Sequence, residues 1–235
     1  MILSAHNLTK VFGNLVVLDD LNFELPKNEI VGLLGPNGSG KTTLIKLIND
    51  LIKPTGGYIV FKDERLNISS KVNISYLPER TYLDMNQKVK DSLKMFKDFF
   101  NDFSIEDATH IIELFKIPLD RRLSQLSKGQ KGKVQLALVF GRKADLYVLD
   151  EPLDGVDPAS RDFIMKIIKK FKKPDSTILL STHQISDIEN YLDSAILLKE
   201  GKLIESGSLQ SLYDKHHMNL GEFFKEVYKY DETSI

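Results

Sequence analysis

Glu29-Ile30-Val31-Gly32-Leu33-Leu34-Gly35-Pro36-Asn37-Gly38-Ser39-Gly40-Lys41-Thr42-Thr43-Leu44-Ile45-Lys46-Leu47-Ile48 is the stretch that decides the fold. Its first six residues read as a buried strand. Residues 35–40 are turn formers. From Lys41 the spacing turns helical, with Leu44, Leu47 and Ile48 on one face. The turn fits G-x-x-x-x-G-K-[ST], a pattern whose residue types suit an anion. Glycines let the backbone wrap a phosphate without side-chain clashes. Inward N–H groups and the positive end of the following helix then bind it. Lys41 has the reach for β- and γ-phosphates, and the Thr42 hydroxyl can ligate Mg²⁺. Gly35 to Thr43 is therefore expected to cradle a nucleoside triphosphate.

A second apolar run, Asp145-Leu146-Tyr147-Val148-Leu149-Asp150-Glu151-Pro152, ends in two carboxylates. Ligand sites of open α/β sheets lie at the carboxyl ends of strands. Asp150 is thus expected to reach the Mg²⁺ through water, and Glu151 to act as general base on a water attacking the γ-phosphate. These two motifs specify a P-loop NTPase, and kinases, GTPases and motor-like ATPases would all fit.

Further strands are expected at Leu146–Leu149, Thr177–Ser181 and Ala195–Leu198, with helical stretches at Ala159–Lys172 and Gln184–Tyr191. Buried strands separated by helices imply an α/β, mostly parallel sheet covered on both faces. Leu21, Phe23 and Leu25 alternate with polar neighbours, as in a half-exposed antiparallel strand of an N-terminal β subdomain. Residues 88–140 show only helical patterning, with Leu93, Phe96, Phe99 and Phe100 at helix-face spacing. A helical subdomain, approximately 80–140, is expected within one domain spanning 1–235. Ser208–Tyr230 reads as one or two short helices around Gly221, in a tail of about 208–235.

The 235 residues carry 32 basic and 33 acidic side chains, a formal net charge of −1. That balance predicts no nucleic-acid partner. Without cysteine, disulfides, thiolate metal sites and cysteine nucleophiles are excluded. No signal peptide is visible at the N-terminus, and the longest apolar runs are too short to cross a bilayer.

Leu126-Ser127-Lys128-Gly129-Gln130, just before the acidic strand, resembles the LSGGQ signature of ABC ATPases. The resemblance covers most of the chain, and it implies roles for particular positions. Phe12 matches the aromatic residue that stacks on adenine. Glu79, after Tyr76-Leu77-Pro78, aligns with the Q-loop glutamine, with a metal role. Asp157 matches the D-loop aspartate at the subunit interface, and His183 the switch histidine near the γ-phosphate. Ser127, Gly129 and Gln130 would contact nucleotide in trans. Ser127 and Gly129 also precede an apolar helix at Val134–Phe140, a second anion-binding helix start on one chain. The family solution is a head-to-tail dimer, homodimeric or heterodimeric, in which each signature closes over ATP on the other subunit's loop.

The resemblance further implies ATP hydrolysis with Mg²⁺ and an integral-membrane transporter subunit as partner. The expected location is cytoplasmic, peripheral on the cytoplasmic face of the cell membrane. By analogy, the short tail points to export of a peptide, drug or other amphipathic molecule. A soluble non-transport ABC ATPase, such as a sulfur-cluster assembly ATPase, is the other reading. Four departures from the family pattern stand out: Glu79 for glutamine, Lys128 for a signature glycine, Gly132-Lys133 for Gln-Arg, and Val156 for leucine.

Overall fold

The computed structural model describes residues 1–228. Strands β1 (Leu3–Phe12) and β2 (Leu15–Leu25) pair antiparallel, and their alternating burial puts Leu21, Phe23 and Leu25 inward. Strand β3 (Ile30–Leu34) is buried throughout and runs into helix α1 (Lys41–Ile48). Strands β4 (Gly56–Phe61) and β5 (Glu64–Arg65) extend the first sheet in the order β2-β1-β4-β5. None of the sequence patterns above marked β4 or β5.

Strand β6 (Ile74–Leu77) leads into α2 (Val89–Phe99), α3 (Ile105–Leu114) and α4 (Lys128–Phe140), and the chain returns through β7 (Leu146–Asp150). The helices therefore lie in one insertion between two strands that are parallel neighbours. Helix α5 (Pro158–Phe171), β8 (Thr177–Thr182), β9 (Ser194–Lys199) and β10 (Lys202–Ser208) complete a six-stranded sheet in the order β10-β9-β3-β8-β7-β6. Only the β9–β10 pairing in it is antiparallel. Helices α6 (Leu209–His216) and α7 (Leu220–Val227) follow.

Two apolar cores form, one on each face of the parallel sheet. One packs α1 and the antiparallel sheet around Leu33, Leu44, Ile48, Val148 and Ile196. The other runs without a break from the inserted helices (Val89, Leu93, Ile111, Phe140) through Leu149 and Ile168 to Phe223 of α7. Strands with both faces covered read as continuous apolar runs, which is why β3, β7, β8 and β9 were visible in the sequence.

Two expectations fail. Gln184–Tyr191 is not a helix: the segment is irregular at Gln184 and Ile185, turns at residues 186–188 and has helical geometry only in a 3₁₀ turn at Glu189–Tyr191. The Thr182 hydroxyl accepts the Gln184 N–H and Asp187 is drawn to Arg161, so local side-chain bonds compete with a helix ladder. Phe99 is 77% exposed, at the last residue of α2, while Phe96 and Phe103 are in the core. The expected short helices of the tail are α6 and α7: Gly221 sits in the first turn of α7, and the chain turns at His217, whose φ of 55° ends α6. Tyr230 and the rest of the expected tail beyond 228 lie outside the described residues.

Candidate nucleotide-binding site

The 35–43 loop is held by its neighbours at close quarters. A Cβ at Gly35 would fall 2.4 Å from the Leu198 carbonyl oxygen and 2.5 Å from Ser39 Oγ. Gly40 has φ +106°, and a Cβ there would meet Leu18 Cδ2 at 2.6 Å. Both positions exclude any larger residue. Gly40 caps α1 without a side chain, so the first amides of that helix keep no intrahelical acceptor and face the loop. The buried Ser39 hydroxyl has no hydrogen-bond partner among the described residues.

Lys41 Nζ donates to the carbonyls of Gly35 (2.8 Å) and Pro36 (3.1 Å) and lies 3.6 Å from Glu151 Oε1. Burial pushes its pKa down, and the Glu151 carboxylate opposes that shift. The ammonium is thus held over the loop by weak acceptors that a phosphate can replace.

Asp150, the last residue of β7, is 1% exposed. It accepts the Ser181 hydroxyl at 2.7 Å, and Ser181 Oγ accepts the Glu151 N–H at 2.9 Å. Burial raises the Asp150 carboxyl above its usual value; the Ser181 bond opposes this, and the Glu151 and Glu79 charges add to it. Glu151 follows with φ 49°, a left-handed backbone uncommon for a residue with a side chain. His183 Nδ1 lies 3.2 Å from both Glu151 carboxylate oxygens, and Gln184 Nε2 lies 3.3 Å from His183 Nε2. Those partners suit one tautomer, with Nδ1 donating to Glu151 and Nε2 accepting from Gln184.

These groups surround a cleft of about 420 Å³, lined by Asn37, Gly38, Gly40, Lys41, Thr42, Thr43, Glu79, Glu151, Asp154 and His183, with Val17 from β2. The described residues hold no cluster of three or more His, Cys, Asp or Glu side chains that could grip a metal alone. Thr42 and Asp150 offer instead a partial set of hard oxygen donors. Such a set fits a Mg²⁺ that completes its octahedron with phosphate oxygens and water.

Phe12 does not line this cleft. It ends β1, is 48% exposed and has Lys10 Nζ 4.8 Å above its ring. The aliphatic Val17 occupies the cleft wall on that side. Ser127, Gly129 and Gln130 are likewise absent from it. Ser127 caps α4, accepting the Gln130 N–H at 3.2 Å, while Gln130 Oε1 accepts the Ser127 N–H at 3.1 Å. Gly129 lines a second cleft of about 350 Å³ beside Glu79, Arg80 and Asp154. Asp157 caps α5 through the Ser160 N–H at 3.0 Å, with Pro158 at the first helical position.

Sequence reasoning assigned no role to Ser181, Gln184 or Val17. Ser181 faces Asp150 through the parallel β7–β8 register. Its signal was a polar residue closing an otherwise apolar strand.

A family model described as ABC transporter matches residues 18–154, more than half of the chain. An uncharacterized ABC transporter ATP-binding protein of Methanocaldococcus jannaschii is 34% identical over 99% of this chain and 89% of its own length. A lantibiotic transport ATP-binding protein of Streptococcus pyogenes is 31% identical over 94% and 95% of the two chains. A solved structure described as the ATP-binding subunit of an ABC transporter superposes with TM-score 0.85 at 27% identity, covering 97% of this chain and all of that one. With the phosphate loop, the paired carboxylates and the signature helix in place, the chain belongs to the ABC transporter family as an ATP-binding domain.

Proposed function

We propose that the chain hydrolyses Mg²⁺·ATP as one half of a head-to-tail pair and thereby drives a separate integral-membrane subunit. The whole of 1–235 would act as a single ATPase unit, with the inserted helices of about 80–140 receiving that subunit. The observation that carries the reading is Glu151 at the phosphate loop, 3.6 Å from Lys41 and 3.2 Å from His183.

Glu151 is placed to take a proton from an attacking water, and His183 to orient that water and the γ-phosphate. Lys41 exchanges its two carbonyl partners for phosphate oxygens. Thr42 and Asp150 would hold Mg²⁺, with Glu79 as a further oxygen donor near the site, and the ion would supply neutralisation of phosphate charge. Ser181 keeps Asp150 and the Glu151 backbone in register. Ser127 and Gly129 present the α4 amides to nucleotide on the other subunit, which accounts for two anion-binding helix starts on one chain. Phe12, solvent-exposed here, stacks on adenine. Asp157 adds an interface contact to its capping role. No described helix is long and apolar enough to cross a membrane. The relative named for lantibiotic transport supports transport of a peptide or another amphipathic molecule, with export as the proposed direction.

Glu151→Gln tests the reading. ATP binding should persist, hydrolysis should fall by about 10²–10⁴-fold, and an ATP-dependent dimer should accumulate. Hydrolysis at the parent rate removes Glu151 from its role. Copurification with an integral-membrane protein from solubilised membranes tests the transport step; exclusively soluble partners would overturn it.

A further inference from the structure

Lys128 stands at the first helical residue of α4, where the helix dipole favours acids, and no acidic residue shares that turn. Lys131 and Lys133 follow within two turns. A positive cluster in that place weakens the helix start and strengthens its hold on an anion. The Lys128 ammonium meets Asp154 Oδ2 at 2.7 Å. Its stem lies over Gly155, where a Cβ would come 3.2–3.4 Å from Lys128 Cδ, Cε and Nζ. Gly129 rests on the same turn, its Cβ position 3.6 Å from the Gly155 carbonyl oxygen. The signature turn therefore sits directly on the turn that follows Glu151. Asp154 also donates its backbone N–H to the Glu151 carbonyl at 3.1 Å and lines the phosphate-loop cleft.

We propose that Lys128 is an exchangeable phosphate ligand, paired with Asp154 in the separated subunit and transferred to the terminal phosphate of nucleotide on the partner subunit when the two close. The inference rests on the head-to-tail pairing proposed above. The exchange is favourable because its two states differ in solvation. The Lys128 and Asp154 side chains are 74% and 41% exposed, so their pairing is weak and easily released. An ammonium–phosphate bond inside a closed interface is charge-assisted and shielded from water. The Ser127–Gln130 capping box fixes the backbone, so only the lysine side chain needs to move.

The test uses the full chain carrying Glu151→Gln, with the dimer dissociation constant measured in ATP by analytical ultracentrifugation. Adding Lys128→Gln should weaken the dimer by about tenfold. Adding Asp154→Asn should tighten it by about threefold, because Lys128 no longer has to leave a partner. With both substitutions the gain should vanish and the constant should match Lys128→Gln alone. A static bridge predicts the opposite sign for Asp154→Asn, and that result overturns the proposal. So does a gain from Asp154→Asn that survives in the Lys128→Gln background, which would place the effect in Asp154's own cleft. An unchanged constant for Lys128→Gln, with its melting temperature intact, overturns it as well. If the Glu151→Gln parent forms no ATP-dependent dimer, the two-subunit reading falls and this inference falls with it.

Discussion

At the scale of single residues, Asp150 shows function working against stability. Its carboxyl is buried beside two other carboxylates, and the Ser181 hydrogen bond offsets part of the cost. Because the folded pKa is raised, the native chain binds more protons than the unfolded one between 3.8 and the higher folded value. Stability then falls as pH rises through that window. Asp150→Asn keeps the Ser181 bond and removes the charge. Without nucleotide it should be more stable than the parent at pH 7, by about 1–2 kcal/mol, and the gap should close towards pH 4. Mg²⁺·ATP should stabilise the parent and leave the variant nearly unmoved. Thermal melts at the two pH values, with and without Mg²⁺·ATP, give the answer; a variant less stable at pH 7 would contradict it. Ser181→Ala acts in the other direction. It strips Asp150 and the Glu151 N–H of a shared buried partner, so about 1–3 kcal/mol of stability should be lost in chemical denaturation. Residues 35–43 and 150–151 were legible in sequence because each motif is contiguous. Ser181 and Gln184 were not, because strand register and a loop bring them to the site from about thirty residues away.

At the scale of elements, helix starts explain both successes and misses. Helix α5 starts at Pro158 behind the Asp157 cap, one residue before the expected stretch, and α1 follows the phosphate loop as its spacing required. Helix α4 begins at Lys128, a turn and a half before the apolar run at Val134, because the Ser127–Gln130 box caps it there. Strands β1, β4, β5, β6 and β10 were missed. Strands β4, β5 and β10 carry little apolar alternation and are held by pairing with β1, β4 and β9 respectively, a tertiary cause with no local signal. Asp157 has two separable roles at such a start. Asp157→Ala should cost about 1 kcal/mol by loss of the α5 cap, and Asp157→Ser should restore most of that. If the carboxylate also serves a subunit interface, the serine variant regains its melting temperature but not its ATPase rate. Full recovery of both with serine would reduce Asp157 to a cap.

At the scale of the whole molecule, the inserted helices and the sheet share one apolar core, so the insertion is not free to fold by itself. Arg142, which lies between α4 and β7 and is 4% exposed, clamps the two crossings together. Its guanidinium reaches both Asp102 carboxylate oxygens at 3.1 Å, donates to the Val72 and Ile74 carbonyls, and stacks 4.1 Å from the Phe100 ring. These partners lie 40 and about 70 residues away in the chain, which is why no local pattern announced the clamp. Arg142→Met keeps the stem but takes the guanidinium from Asp102, which retains only the Lys143 N–H at 3.1 Å as a donor among the described residues, and from two carbonyls. Breaking a buried pair from one side costs about 3–5 kcal/mol. Lys90 and Asp120, an exposed pair on the same insertion, serve as the control, and Lys90→Ala should cost no more than about 1 kcal/mol. Urea denaturation of the two variants gives the comparison. Hydrogen exchange locates the damage, which should appear in α2, α3 and β6 before β3 or β8. If Arg142→Met costs no more than Lys90→Ala, the insertion is held by its apolar core alone and Arg142 is a bystander.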